Sequence, residues 1–137
     1  MKKTIFLLLL FAFPFIAGLL QAGDASVKIV VNASNPVSAM KKSQISNLFL
    51  KKATAWDSGH KALPVDQSES SSVRKTFSEE IHGKAVHTIV IYWQKQIFSG
   101  RDVPPVEKES DREVLAYVRE NADAIGYVSE GAADRKS

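Results

Sequence analysis

The sequence predicts an α/β domain with a small, mainly parallel sheet flanked by helices. Three observations carry this expectation. Short strand-like runs occur at residues 27–32 (VKIVVN), 62–65 and 124–129 (AIGYVS). Segments with helical apolar spacing separate them, and strands alternating with helices favour parallel pairing. No cysteine is present, so no disulfide supports the fold, and packing and hydrogen bonds must supply its stability.

The N-terminal segment carries a different signal. Lys2 and Lys3 precede an uncharged apolar run from residue 5 to 20, interrupted only by Pro14, and small residues follow at Ala22, Gly23 and Ala25. This is the charge, core and exit pattern of a secretory signal over residues 1–22, with cleavage between 22 and 25. A retained anchor is the alternative, but the run is short for a span and no basic stop-transfer cluster follows it. Residues 23–137 then form one domain in a periplasmic or secreted protein. A lipid anchor on cysteine is excluded.

The chain holds 18 Lys and Arg against 15 Asp and Glu, a formal charge of +3. Loss of Lys2 and Lys3 with the signal cuts the excess from three to one. The remaining charges alternate in sign. A nucleic-acid binder would show a basic stripe instead. About 115 residues suffice for a single core.

Within the mature chain, residues 27–32 read as a buried strand closed by a polar turn. Ser43 is a plausible N-cap for a helix with Ile45, Leu48 and Phe49 on one face. Lys51 and Lys52 follow where a helix C-terminus favours cations. Residues 62–65 form the second strand, and residues 67–72 hold four serines and Glu69. A helix follows, with Val73, Phe77 and Ile81 in phase and Gly83 as its stop.

Residues 86–98 admit two readings. Residues 88–93 (TIVIYW) have strand propensity, whereas Val86, Ile89, Val90, Trp93 and Ile97 line one helical face, and length favours the helix. Residues 99–105 read as an irregular loop containing two prolines. Ser110 and Glu113 fit a capping box for a helix with Val114, Leu115 and Val118 inward. Gly126 within the closing strand implies close approach of another backbone or a ligand. Residues from Gly131 onward read as a frayed tail.

Taken together these segments resemble one lobe of the phosphate-binding proteins that feed ABC transporters. The resemblance spans residues 27–131. It rests on residues 45–50 followed by Trp56, on residues 64–66 through Phe77, on Trp93 with residues 99–101, and on Val118 with residues 124–128. It is nearest to short, single-lobe forms. It implies a single lobe of a type II periplasmic-binding-protein-like fold, no enzymatic activity, and a phosphate or similar oxyanion as a weakly held ligand. Departures accompany it. Lys51 stands where glycine is usual. Asp66 stands where an arginine is usual, Glu69 and Ser71 where glycines are usual, and Asp123 replaces the first glycine of the closing motif.

The serine loop offers the best candidate site. A helix N-terminus presents unpaired N–H groups and partial positive charge. Ser70, Ser71 and Ser72 would add hydroxyl donors, and Arg74 a charge-assisted bond. A serine that merely caps the helix is the competing reading, and Glu69 opposes an anion. Asp66 would accept a proton from a partly protonated phosphate, or form a turn, or pair with Arg74. Arg101 would face the same cleft, or stand solvated.

His60, His82 and His87 lack metal-ligand spacing and read as exposed or turn residues. No cofactor motif or G-x-S-x-G elbow occurs. Trp56 and Trp93 read as core or cleft-wall residues. Two functions remain: an exported oxyanion binder associated with ABC-type transport, or an envelope accessory module that keeps the fold and docks a partner protein.

Overall fold

The computed structural model describes residues 26–132. The signal segment and its cleavage window up to Ala25, and the last five residues, lie outside them. The order of elements is β1 (Val27–Val31), α1 (Lys42–Phe49), β2 (Leu63–Gln67), α2 (Ser72–Phe77), a π-helical turn (Ser78–His82), α3 (Val86–Phe98), β3 (Val106–Lys108), α4 (Asp111–Glu120) and β4 (Ala124–Ser129).

The four strands form one sheet in the order β1-β4-β2-β3. β4 pairs parallel with β2, matching Leu63 to Ala124, and β2 pairs parallel with β3 from Val65↔Val106 to Gln67↔Lys108. β1 closes the other edge antiparallel to β4, from Val27↔Ser129 to Val31↔Ile125. Two of three pairings are parallel, as expected from strands joined through helices. β3 is the strand the sequence pattern does not reveal.

Period-two alternation along β4 divides the core. Ile125 and Tyr127 face one side, packed with Phe49, Leu48 and Phe77 from α1 and α2. Ala124 and Val128 face the other, with Val65, Val114 and Val118. Phe77 is fully buried. Its ring stacks on Tyr127 at 3.8 Å and 5°, meets Phe49 at 4.8 Å and takes the edge of His82 at 5.3 Å. α3 is helical throughout and contributes Ile89 and Trp93 to a smaller cluster with Leu50. A built Cβ at Gly126 would lie 2.7 Å from Val114 Cγ1 and 2.8 Å from Val65 Cγ1. The close approach expected there is real, but side chains make it rather than a backbone or ligand.

Several local expectations change. α1 starts after Lys41, not Ser43, because Gln44 Oε1 accepts the Lys41 N–H at 2.8 Å. α2 runs into a wider π turn before Gly83, which adopts φ +68°. Ser78 steadies that turn by donating its hydroxyl to Lys84 O at 2.6 Å. Residues 130–132 are helical with Ala132 buried, so order extends past Gly131.

α1 ends in a left-handed turn. Lys52 N–H reaches Asn47 O at 2.9 Å and Lys51 N–H reaches Leu48 O at 3.2 Å, with Lys51 at φ +57°. This is a Schellman closure whose left-handed position is usually glycine. Ser110 Oγ caps α4 by accepting the Glu113 N–H at 3.2 Å. Glu113 reaches back to Glu109 N–H rather than to the cap residue.

Candidate functional site at the strand ends

β2 ends at Gln67 in the middle of the sheet, beside the carboxyl ends of β3 and β4. In open α/β sheets this end is where ligands bind. The chain turns through residues 68–71, with Ser71 N–H on Ser68 O at 3.0 Å, and enters α2. Asp66, Ser70, Ser71, Ser72 and Arg74 therefore share one end of the sheet.

Their side chains do different things. Ser71 is the N-cap: its Oγ accepts the N–H groups of Val73 and Arg74, both at 3.1 Å, and donates to Gln67 Oε1 at 2.8 Å. Two N–H groups that could hold an anion are thus satisfied internally. Ser70 and Ser72 are exposed, with Ser70 Oγ 3.4 Å from Ser68 Oγ. Glu69, in the same loop, is exposed as well.

Arg74 is turned inward and is only 4% exposed. Its Nη1 donates to Gln67 O at 2.7 Å and lies 3.4 Å from Glu107 Oε2; its Nε lies 3.5 Å from Asp66 Oδ1. Two carboxylates, from β2 and β3, therefore face one guanidinium. Of the alternatives for Asp66, pairing with Arg74 is the one seen. Asp66 also accepts the Tyr127 hydroxyl at 2.5 Å, and that phenol oxygen accepts Gln67 N–H at 2.9 Å. Burial pushes the Asp66 carboxyl up to about 6, against the pull of Arg74 and the Tyr127 hydrogen bond; Glu107 adds to the rise. Burial and Asp66 together push the Tyr127 phenol far above its ordinary value.

Gln67 joins this group to α4. Its Nε2 donates to Asp111 Oδ1 at 2.8 Å and to Tyr127 O at 3.1 Å. Asp111, in the first turn of α4, also accepts Ser129 Oγ at 2.6 Å. A carboxylate of the chain itself thus sits where that helix N-terminus favours negative charge.

Arg101 does not join the site. It is exposed in the turn after α3, and its side chain makes no hydrogen bond or ion pair with Asp66, Arg74 or the serines. His82 departs from expectation as well. It is half-buried against Phe77, with Nδ1 2.7 Å from Ser46 Oγ. Burial first, then the positive charges of Arg74, Lys52 and Lys84, hold its imidazole down at about 4. His60 and His87 are exposed, with His60 Nδ1 3.3 Å from Asp123 Oδ1. Trp56 and Trp93 are core residues. Among the described residues, no group of three or more His, Asp or Glu side chains could hold a metal ion, and no helix is long and apolar enough to cross a membrane.

Gln67, Glu107 and Tyr127 are the members of the group that sequence reasoning passes over. Tyr127 is visible only as a strand residue. Glu107 is hidden because β3 is. A separate cavity of about 530 Å³ lies at the opposite end of β2 and β4, bordered by Pro36, Asn47, Trp56, His60 and Asp123. It contains none of the predicted site residues.

This arrangement is that of one periplasmic-binding-protein-like lobe. Among solved structures, the chain is similar to an ABC-type phosphate transport receptor from Vibrio cholerae, with TM-score 0.61 and 21% identity over 77% of this chain. It is also similar to a putative phosphate ABC transporter substrate-binding protein with bound phosphate from Clostridium perfringens, with TM-score 0.61 and 15% identity over 88% of this chain. The chain spans 41% and 59% of those two proteins. No family model and no curated protein matches it.

Proposed function

We propose that the chain is an exported, periplasmic or secreted, oxyanion-binding lobe associated with ABC-type transport, and that it holds phosphate or a similar anion weakly at the serine loop. The observation that carries this reading is the position of that loop. It lies at the carboxyl end of the central parallel strands and opens α2, with exposed hydroxyls at Ser70 and Ser72 and the Arg74 guanidinium beneath. Weakness follows from the same geometry. The Val73 and Arg74 N–H groups are taken by Ser71, Arg74 is matched by two carboxylates, and Glu69 repels an approaching anion. A site open on one side also leaves the anion hydrated and screened.

Calorimetric titration of the mature domain with phosphate tests this reading. Glu69→Gln should tighten binding. Ser70→Ala and Ser72→Ala should each weaken it by about 1 kcal/mol or more, because hydrogen bonds to charged groups are the stronger kind. Affinity unchanged by all three substitutions would place any bound phosphate elsewhere.

A second reading has its own observation. Arg74 is neutralised by the chain's own carboxylates, as it would be in a lobe that keeps the fold but serves as an envelope accessory docking a partner protein. Absence of phosphate binding at any concentration, in wild type and in Glu69→Gln, would favour it.

A further inference from the structure

The Arg74 guanidinium lies buried in the first turn of α2, behind the serine loop, and the chain's own acids occupy it. Asp66 from β2 holds Nε from the buried side. Glu107 from β3 holds Nη1 from the side that reaches solvent: its side chain is 44% exposed while that of Arg74 is 5% exposed. Glu107 thus stands where an incoming anion would meet the guanidinium. We propose that Asp66 and Glu107 form a carboxylate latch on Arg74, so that the loop takes an oxyanion in mildly acid surroundings and releases it near neutrality. This rests on the oxyanion-binding reading above and assigns its regulation.

The logic is one of charge count. With both acids ionised, the Asp66–Arg74–Glu107 group carries a net negative charge, and an anion is repelled. Protonation of Asp66 removes one negative charge and leaves Arg74 balanced by Glu107 alone. An oxyanion can then displace the exposed Glu107 side chain, gain the guanidinium as a charge-assisted donor, and retain the nearby serine hydroxyls. The groups facing Asp66 are Arg74 from α2, Tyr127 from β4 and Glu107 from β3, with the Gln67 N–H on the Tyr127 oxygen. Tyr127 stays protonated throughout and donates to either form. His82, which also feels Arg74, is held down at about 4 and stays largely neutral over the range in which Asp66 titrates. The acidic neighbour that burial has already destabilised as an anion is therefore the group that opens the latch.

Sulfate is the suitable probe, since its charge does not change between mildly acid and neutral solution, whereas that of phosphate does. The mature domain is titrated with sulfate at fixed ionic strength. The readouts are the Arg74 Nε–H and the amides of residues 70–72 by NMR, with the Asp66 side-chain carbon followed for its own titration. If the competent state needs protonated Asp66 with a pKa of about 6, wild-type affinity should be about thirtyfold tighter at about pH 5 than at about pH 7.5. Asp66→Asn should bind about equally at both pH values. Glu107→Gln should bind more tightly than wild type at both while keeping the pH dependence. Should Asp66→Asn fail to fold, the wild-type pH series and Glu107→Gln still decide. Binding that is pH-independent in wild type, or unaffected by Glu107→Gln, overturns the latch and leaves the oxyanion reading standing. No binding in any form at either pH overturns both.

Discussion

Replacing Lys51 by glycine should stabilise the protein. Lys51 occupies the left-handed position of the Schellman closure of α1 at φ +57°, where a Cβ meets the following carbonyl. That conformation costs an L-residue about 1–2 kcal/mol. Glycine removes the cost but loses more chain entropy on folding, by roughly 0.5–1 kcal/mol. The Lys51–Asp102 pair is also lost; at 3.8 Å, with Asp102 40% exposed, it contributes little, a few tenths of a kcal/mol at about the median for such pairs. Taken at their midpoints, these contributions leave a net gain of about 0.5 kcal/mol, or about 2–4 °C in melting temperature for a domain of this size. Urea melts of wild type, Lys51→Gly and Lys51→Ala separate the backbone effect from the charge. Alanine keeps the Cβ and should give no gain. If alanine stabilises as much as glycine, or glycine destabilises, the turn is not strained and the reasoning fails.

Phe77→Ala should cost about 3–5 kcal/mol, through lost burial and the cavity left among Phe49, Tyr127 and His82; a loss below about 1 kcal/mol in denaturant melts would place the ring outside the core. Gly126→Ala should cost about 1–3 kcal/mol by overpacking against Val65 and Val114, measured the same way, and a neutral result would mean that α4 yields easily. The two shifted buried groups should oppose each other in acid. His82, held down at about 4, gives stability that is present above its ordinary pKa and lost as pH falls toward 4, whereas Asp66, raised to about 6, gives stability that is full below its ordinary pKa and lost as pH rises through 6. Relative to wild type, His82→Asn should therefore gain stability on going from about pH 6.5 to about pH 4.5 and Asp66→Asn should lose it, and urea midpoints that move the same way in both variants would contradict the assignment.

Legibility in the sequence follows burial and periodicity. β4 is readable because Ile125, Tyr127 and Val128 give strand propensity to a run buried on both faces, and α4 because Ser110 announces it. β3 is three residues long with exposed Val106 and Glu107, so no alternation marks it. The start of α1 is hidden because a glutamine reaching back, not a serine, satisfies the first N–H group. The serine loop could be found from composition and position. What Arg74 does there could not, because its partners Asp66 and Glu107 belong to two strands brought together by sheet pairing. For the same reason, the exposed reading of His82 fails: its burial depends on α1 and Phe77, remote or unremarkable in the local sequence. Arg101 lies in a glycine-containing turn whose resemblance suggests the same cleft, but the chain path after α3 leaves it exposed and apart from Asp66 and Arg74.

On the reading proposed above, one lobe of this fold retains an oxyanion half-site at its serine loop. Amide chemical-shift mapping of the mature domain during a phosphate titration at fixed ionic strength tests it most directly. Saturable shifts confined to residues 68–74, with Arg74 Nε–H among them, are the predicted result. Shifts absent even at high phosphate, or spread evenly over the surface as salt effects are, would contradict it.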